Sequence, residues 1–155
     1  MSDHLLGVIS DTHGLLRPEA VEALRDVEMV LHAGDIGKAE ILSELEKIAP
    51  VVAVRGNNDR DDWVAKIPET QIVQIGSVSI YMLHDLKELR LDPAAEGHQV
   101  VISGHSHKPL VQERDGVLFL NPGSAGRRRF KLPICLALLK IKDGKASAEI
   151  IELSV

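Results

Sequence analysis

Residues 5–14 read LLGVISDTHG, a short apolar run that stops at an aspartate, a threonine, a histidine and a glycine. An apolar run of this length, without polar alternation, is typical of a strand covered on both faces. Similar runs occupy residues 29–33 and 51–54, and each also stops at a polar loop. Pro18 can begin a helix after the first run, and apolar residues recur at helical spacing over residues 38–48. The first half of the chain therefore alternates strand and helix, as in parallel βαβ units.

The second half of the chain has the pattern of antiparallel strands. Residues 71–75 and 78–83 flank Gly76-Ser77, a dipeptide that favours a tight hairpin turn. A polar stretch at residues 85–98 is predicted to hold a helix that breaks at Pro93, before another buried strand at residues 100–103. The remaining predicted strands cover residues 110–113, 117–120, 134–141 and 146–153, with turns at Asp115-Gly116 and Asp143-Gly144. This order predicts an α/β fold with two sheets packed face to face and helices outside.

Length and composition restrict the class of protein. The chain has 155 residues, 45% of them apolar and 26% charged, so residues 1–155 are expected to form one globular domain. No apolar run approaches the roughly 18 residues of a membrane helix. The single cysteine and the absence of a signal-peptide pattern favour the cytoplasm. A net charge of −5 and only four aromatic residues count against binding of extended nucleic acid.

Potential metal ligands follow five of the predicted strands. Two carboxylates, four imidazoles and one amide oxygen form a set that first-row divalent metals prefer. Residues i and i+2 of an extended turn point to the same side, so the Asp-x-His and His-x-His pairs can each direct two donors at one point. Seven donors exceed what one tetrahedral ion needs and suit two ions that share a bridging carboxylate. The set is Asp11, His13, Asp35, Asn57, His84, His105 and His107.

Each donor taken alone also has a structural interpretation. Asp35 could cap the helix that follows it, and Asn57 lies in a sequence typical of a turn. His84 could bond to the backbone at a strand end. The coincidence of all seven at strand ends favours a metal centre over these separate explanations. His32 is expected to be a hydrogen-bonded core residue or a partner of the ligands, and Cys135 an inert buried thiol.

These motifs, in this order, resemble those of the calcineurin-like metallophosphoesterase superfamily, in particular its small single-domain prokaryotic phosphodiesterases. The resemblance spans residues 11–124, which is nearly the whole chain, and it implies a four-layer α/β/β/α sandwich of two mixed sheets with helices outside. It rests on Asp11-Thr12-His13, Gly34-Asp35, Gly56-Asn57-Asn58-Asp59, His84, Gly104-His105-Ser106-His107 and Asn121-Pro122-Gly123-Ser124.

The resemblance implies a metal-dependent phosphoesterase with two divalent ions per chain. Manganese is the first expectation, with iron, zinc or nickel as alternatives. One ion would be held by Asp11, His13, Asp35 and His107, and the other by Asp35, Asn57, His84 and His105. The implied reaction is hydrolysis of a small phosphodiester, with a hydroxide that bridges the two ions as nucleophile. The implied catalytic residues are Asp35, Asn57, Asn58 and His105.

Two positions depart from the larger members of the superfamily. Those enzymes have a histidine where this chain has Asn58, and an aspartate three residues after the bridging one, where this chain has Lys38. Asn58 cannot donate a proton as an imidazolium can, which favours a singly charged diester over a monoester. Both changes count against a role as a protein phosphatase.

The sequence also contains a run of three arginines, and three functions other than phosphodiesterase are considered. Arg127, Arg128 and Arg129 could grip substrate phosphates, although a solvated basic loop is the commoner role of such a run. One eukaryotic branch of the superfamily is a scaffold in membrane-coat sorting with a degraded ligand set, whereas all seven ligand positions are kept here. A phosphomonoesterase or a nuclease is the further alternative. No membrane partner is expected, and a homo-oligomer is left open.

Overall fold

Strands and helices alternate in the first half of the chain, as the sequence predicts. The computed structural model describes residues 3–57, 59–129 and 131–155. The helices are α1 (Pro18–Ala23) and α2 (Ala39–Glu46), and short 3₁₀ segments lie at Asp62–Lys66 and Leu86–Glu88. The strands are β1 (His4–Ile9), β2 (Met29–His32), β3 (Val51–Ala53), β4 (Thr70–Ile75), β5 (Val78–Leu83), β6 (Val100–Ile102), β7 (Leu110–Arg114), β8 (Val117–Asn121), β9 (Cys135–Lys142) and β10 (Lys145–Glu152).

Two mixed sheets of five strands each form the centre of the molecule. Sheet 1 has the order β10-β9-β1-β2-β3, with β1, β2 and β3 parallel. Sheet 2 has the order β4-β5-β6-β8-β7, with β5, β6 and β8 parallel. The predicted hairpins β4–β5, β7–β8 and β9–β10 are all present. The parallel strands of each sheet therefore end at a common edge, where their loops can meet.

The alternation of side chains along β1 explains the layers. Leu6 and Val8 point into the core between the two sheets, where they join residues such as Ile80 of sheet 2. Ile9 and its neighbours on the opposite face pack against the helical layer. Gly7 lies on that helical side, where an added methyl group would collide with the side chain of Leu24. A side chain at this position would therefore have to displace Leu24 from its place between the helical layer and the sheet.

The outer face of sheet 2 differs from the prediction. The helix expected within residues 85–98 is absent, and the segment contains only the 3₁₀ turn Leu86–Glu88 followed by further turns. Pro93 disfavours helix in the residue before it, and Gly97 has a φ of 84°, so the stretch between is too short to sustain a helix. Leu86 and Leu89 still pack on Val101 and Phe119 of the sheet. The sandwich is thus confirmed, but the layer over sheet 2 is mostly irregular.

Neither helix is long. α1 has six residues and α2 has eight, and no helix within the described part of the chain is long and apolar enough to cross a membrane.

Candidate metal centre

Five of the seven predicted metal ligands have a left-handed backbone. The φ angles are 56° at Asp11, 47° at His13, 55° at Asp35, 71° at His105 and 62° at His107. Positive φ is uncommon for residues other than glycine and costs of the order of 1–2 kcal/mol per residue. Such residues persist where surrounding contacts hold them, and they concentrate at functional sites. Asp115 and Asp143 have similar φ angles in hairpin turns, so it is the concentration of five such residues in these loops that suits a functional site.

The loops after β1 and β2 hold one another in place. The N–H of Asp11 donates to the Gly34 carbonyl over 2.9 Å, and the N–H of His13 donates to the Asp35 carbonyl over 2.9 Å. A third bond, from the N–H of Gly14 to the Ile36 carbonyl over 2.8 Å, continues the series. These bonds extend the parallel pairing of the strands into the loops. The side chains of Asp11, His13 and Asp35 are consequently held in position by hydrogen bonds between the two loop backbones.

Six of the predicted ligands form two groups of three. Asp11, His13 and His107 make one group, and Asp35, His84 and His105 make the other. Within each group, one donor atom from every residue lies within 4.8 Å of the others. The groups are adjacent, since Nε2 of His13 is 3.8 Å from Oδ2 of Asp35, and Nε2 of His84 is 3.9 Å from Oδ1 of Asp11. Residues from four separate loops are thus gathered in one place.

Several of the atoms in these groups that could bind a metal are buried without a hydrogen-bond partner. Among the described residues, Oδ1 of Asp11, Nε2 of His13, Nε2 of His84 and Nδ1 of His107 have no such partner. Buried polar atoms are normally paired, because an unsatisfied one costs about 1–3 kcal/mol. Carboxylate oxygens and ring nitrogens in this state are suited to a cation. The residues present therefore fit a bound divalent metal.

The electrostatics of the site also require positive charge between the carboxylates. Burial lowers the pKa of His84, but contact with Asp35 and the charge of Asp11 outweigh it and raise that pKa to about 9. For Asp11 the effect of burial is to raise the pKa, but contacts with His107 and His13 outweigh it and hold the pKa well below its usual range. Without a metal, a proton on His84 supplies positive charge between the carboxylates. A cation that binds here would displace that proton.

The orientation of His84 is fixed by the backbone. Its Nδ1–H donates to the Ala33 carbonyl over 2.7 Å, so Nε2 faces Oδ2 of Asp35 at 3.2 Å. Ligating histidines commonly bond in this way through the ring nitrogen that faces away from the metal.

Two glycines allow the loops to approach the carboxylates. A methyl group on Gly56 would collide with the backbone and side chain of Asp35. A methyl group on Gly104 would collide with Oγ of Ser10 and lie 2.7 Å from Oδ2 of Asp11. Gly56 therefore lets the loops after β2 and β3 of sheet 1 approach each other, and Gly104 lets the loop after β6 of sheet 2 approach the loop after β1 of sheet 1.

Asp59 has a role that the sequence did not reveal. Its carboxylate accepts the N–H of Ile36 over 3.1 Å, of Gly37 over 3.0 Å and of Gly56 over 2.9 Å. It is buried, with 7% exposure, and it ties the loop after β2 to the loop after β3. The only available signal was its place in an Asn-Asn-Asp turn, and such turns are usually solvated.

Other polar residues form hydrogen bonds with Asp11 and with the loop that carries His105. Oγ of Ser10 donates to Oδ2 of Asp11 over 2.7 Å, and Oγ of Ser124 donates to the Asp11 carbonyl over 3.1 Å. Nδ2 of Asn121 donates to the Gly104 carbonyl over 3.0 Å. The segment that contains Asn121 and Ser124 thus forms part of the wall of the site.

His32 is a hydrogen-bonded core residue. Its Nδ1 accepts the N–H of Gly34 over 3.1 Å, and Nε2 lies 3.0 Å from Oγ1 of Thr12. Since the Thr12 hydroxyl donates to the Ile36 carbonyl over 2.9 Å, it accepts from His32. Burial lowers the pKa of His32 to about 4, which keeps the ring neutral. The ring therefore connects the loops after β1 and β2.

The remaining predicted residues lie around the two groups. Asn57 is exposed and lines a cavity of about 440 Å³ together with His84, whereas Asn58 lies outside the described residues. Arg127, Arg128 and Arg129 are exposed, and Arg128 donates to the Leu132 carbonyl over 3.3 Å. Arg129 is near enough to His13 to oppose the rise in its pKa, which contact with Asp11 causes. Cys135 is buried, which raises its pKa to about 11.

Comparison with known proteins agrees with this geometry. Residues 5–144 match the model of the calcineurin-like phosphoesterase superfamily domain. A "probable metallophosphoesterase" of Methanothermobacter thermautotrophicus is 42% identical over 95% of this chain and 91% of that protein. A phosphodiesterase of Methanocaldococcus jannaschii is 33% identical over 76% of this chain and 82% of its own length.

A solved structure has the same fold. Vps29 from Entamoeba histolytica, complexed with zinc, has a TM-score of 0.74 and 26% identity, over 97% of this chain and 99% of that one. The family match covers most of the chain, and the candidate metal ligands stand at the loops where the two sheets meet. The chain therefore belongs to the calcineurin-like phosphoesterase superfamily and is a hydrolase of the metallophosphoesterase type.

Proposed function

We propose that this protein hydrolyses phosphodiesters at a centre of two divalent metal ions. One ion would be held by Asp11, His13, Asp35 and His107, and the second by Asp35, Asn57, His84 and His105. Manganese is the metal that we expect, with iron, zinc or nickel as alternatives. The substrate that we expect is a small phosphate ester rather than a long nucleic acid.

The observation that carries this proposal is the pair of adjacent donor groups. A single tetrahedral ion would need only one of them, yet each group offers a carboxylate and two imidazoles. Asp35 and Asp11 lie at the junction, because each approaches a histidine of the other group. A bridging role for Asp35 is compatible with that position.

Charge at the site favours an anionic substrate although the chain is acidic. Two divalent ions would bring four positive charges, and Asp11 and Asp35 carry two negative ones, so a net charge of about +2 is left to attract a phosphate. When bound, such ions lower the pKa of a water molecule and offset charge on the phosphoryl oxygens. The side chain of His105 is 44% exposed, against 4% for His84 and for His107. His105 is therefore the imidazole most accessible to an entering substrate.

The residue at position 58 supports a preference for diesters. In the reaction an oxygen from water bonds to phosphorus, and the bond from phosphorus to the alcohol oxygen breaks with its electron pair. The departing oxygen then takes a proton. Asn58 cannot supply that proton as an imidazolium could, so water must do so. Diesters with acidic alcohols are the substrates that tolerate this best.

The proposal is tested by metal analysis combined with a phosphodiester assay. The purified protein is analysed for metals, stripped with a chelator, and assayed on bis(para-nitrophenyl) phosphate after each metal is added back. We expect about two ions per chain and turnover that disappears with the chelator and returns with manganese. Turnover that is unaffected by complete metal removal would contradict the proposal.

A second candidate is a binding scaffold, since Vps29 shares the fold over nearly the whole chain. The same experiment separates the two candidates. A protein that retains neither metal nor turnover under any of the metals would favour the scaffold. The presence of both donor groups in this chain favours the enzyme over the scaffold.

A further inference from the structure

A groove of about 670 Å³ opens beside His105. It runs from the loop after β6 to the beginning of β7, with the 3₁₀ turn Leu86–Glu88 on its other side. Pockets that hold small organic ligands typically measure about 300–1,000 Å³. The His105 groove is therefore large enough for the organic part of a substrate.

The His105 groove is continuous with the metal centre. Gly104 and His105 belong to its lining and also to the loop that contributes to both donor groups. Asn121 lines the groove as well, and its Nδ2 donates to the Gly104 carbonyl over 3.0 Å and to Oγ of Ser106 over 3.1 Å. The wall between the two sites is thus held by side-chain bonds. Because His105 belongs to both places, a substituent on a phosphate held at the donor groups would lie next to the groove.

The groove combines apolar walls with positive charge. Leu86, Pro109 and Leu110 supply apolar surface, and Leu110 is 39% exposed although it is a large hydrophobic residue. Lys87 and Lys108 are exposed members of the lining. Asp85 is the only carboxylate among the described lining residues, so the ammonium groups leave a positive balance.

The backbones of both lysines are fixed. The N–H of Lys87 donates to Oδ1 of Asp85 over 3.1 Å, and the N–H of Lys108 donates to Oγ of Ser106 over 3.2 Å. No phenylalanine, tyrosine or tryptophan is among the described lining residues, so the aromatic surface of that lining is limited to the imidazole of His105. Its ligand must be recognised by apolar contact and by charge.

We infer that the His105 groove binds one ester substituent of the phosphodiester, a group with an apolar body that carries a further anionic charge. Apolar contact with Leu86, Pro109 and Leu110 would hold the body, and Lys87 and Lys108 would bind the carboxylate or phosphate at its end. This inference deepens the proposed function and rests on it. It names the class of substrate, a diester with a second anionic group, that the metal centre alone does not specify.

Phosphonates test the groove without turnover, because they contain no P–O–C bond to cleave. Binding of para-carboxyphenylphosphonate, phenylphosphonate and methylphosphonate to the manganese-loaded protein is measured by calorimetry. We expect the carboxyphenyl compound to bind at least tenfold more tightly than the methyl compound, with the phenyl compound between them. Equal affinity of the three compounds would overturn the inference.

Substitutions in the groove test which residues cause the differences in phosphonate affinity. The double change Lys87→Ala and Lys108→Ala should remove the advantage of the carboxyl group, and Leu110→Ser should reduce the advantage of the phenyl ring. Lys142→Ala, an exposed lysine on β9 outside the groove lining, is the matched control and should change neither. An advantage that survives the double change, or is lost equally in the control, would place the ligand elsewhere.

Two further outcomes separate this inference from its rivals. Hydrolysis of methyl para-nitrophenyl phosphate, with no preference among the phosphonates, would refute the groove and leave the proposed function intact. A clear phosphonate preference with no hydrolysis of any diester would refute the proposed function and retain the groove as a binding site. A change of oligomeric state in Leu110→Ser, with phosphonate binding unaltered, would show that a second copy of the chain covers this surface instead.

Discussion

The backbone N–H of His105 donates a hydrogen bond to Oδ2 of Asp11 over 3.1 Å, across 94 positions of sequence. Asp11 follows β1 of sheet 1, whereas His105 follows β6 of sheet 2, so this bond joins the two sheets at the metal centre. Oδ2 also accepts from Ser10, which leaves Oδ1 to face His107 at 3.4 Å and His13 at 3.7 Å. One oxygen of Asp11 thus accepts two hydrogen bonds, and the other faces the imidazoles of His107 and His13.

Replacement of Asp35 by asparagine should remove most of the bound metal. Asn tolerates the left-handed backbone at this position, where φ is 55°, so the loop should keep its shape while a negative charge is lost. Activity should fall by about 100-fold or more, because even changes to the partners of ligands cost about 10- to 100-fold. Metal content is measured by elemental analysis. Asp115→Asn, in the β7–β8 turn with a φ of 53°, is the control and should keep its metal. Two ions per chain in Asp35→Asn would contradict the assignment.

Gly104→Ala should weaken metal binding through Asp11. The added methyl group collides with Ser10 Oγ and approaches Asp11 Oδ2, so the carboxylate must shift. We expect metal affinity to fall by about tenfold or more, as for other changes to the partners of ligands. Titration of the stripped protein with manganese measures it. Gly76→Ala, in a turn with open space around it, should lose some stability because its φ is 59°, but it should bind manganese normally. Normal affinity in Gly104→Ala would show that the close approach is unimportant.

Asp59→Ala should destabilise the protein even without metal. The change leaves the N–H groups of Ile36, Gly37 and Gly56 without their acceptor. Only the bond to Ile36 is buried, and those to Gly37 and Gly56 are partly buried. Since an orphaned buried donor costs about 1–3 kcal/mol, we expect the free energy of unfolding to fall by about 1–3 kcal/mol. Denaturant unfolding of the stripped protein measures this. Asp61→Ala, at an exposed aspartate whose side chain caps no helix, should be nearly neutral. Equal stability of the two variants would show that Asp59 does not stabilise the loops after β2 and β3.

The rate should depend steeply on the acidity of the departing alcohol. Asn58 lies outside the described residues, so this prediction rests on its chemistry, namely its inability to protonate the alcohol oxygen. A series of methyl aryl phosphodiesters with different phenols measures kcat against phenol pKa. In Asn58→His the dependence should become shallower, because an imidazolium can donate the proton. A flat dependence in the unaltered protein would contradict the proposal.

Removal of the basic run should raise KM and leave metal content unchanged. The positive charge of the exposed Arg129 lowers the pKa of His13, which contact with Asp11 raises, so a phosphate near His13 would feel the same charge. Hydrogen bonds to charged groups are worth about 1.5–3 kcal/mol, so the triple change of Arg127, Arg128 and Arg129 to alanine should raise KM about tenfold or more. Arg25→Ala, at an exposed arginine paired with Glu22, is the control. An unaltered KM would leave the run as a solvated loop.

Much of the fold could be predicted from local pattern. Apolar runs of strand length and the turn at Gly76-Ser77 placed β1 and the β4–β5 hairpin close to their observed bounds. The helix expected around Pro93 was wrong, because Leu86 and Leu89 bury their side chains from an irregular segment as well as they would from a helix. Apolar spacing alone cannot distinguish those two ways of covering a sheet.

The sequence by itself determined which donor types follow the strands, because apolar runs and the polar residues that end them are local features. Only the tertiary structure decided that Asp11 would meet the loop of His105, that Asp59 would be a buried acceptor rather than a solvated turn residue, and that a groove would open beside His105. The physical reason is that burial and hydrogen-bond partners depend on which sheet edges pack together. Residues 94 positions apart become neighbours only after both sheets have formed.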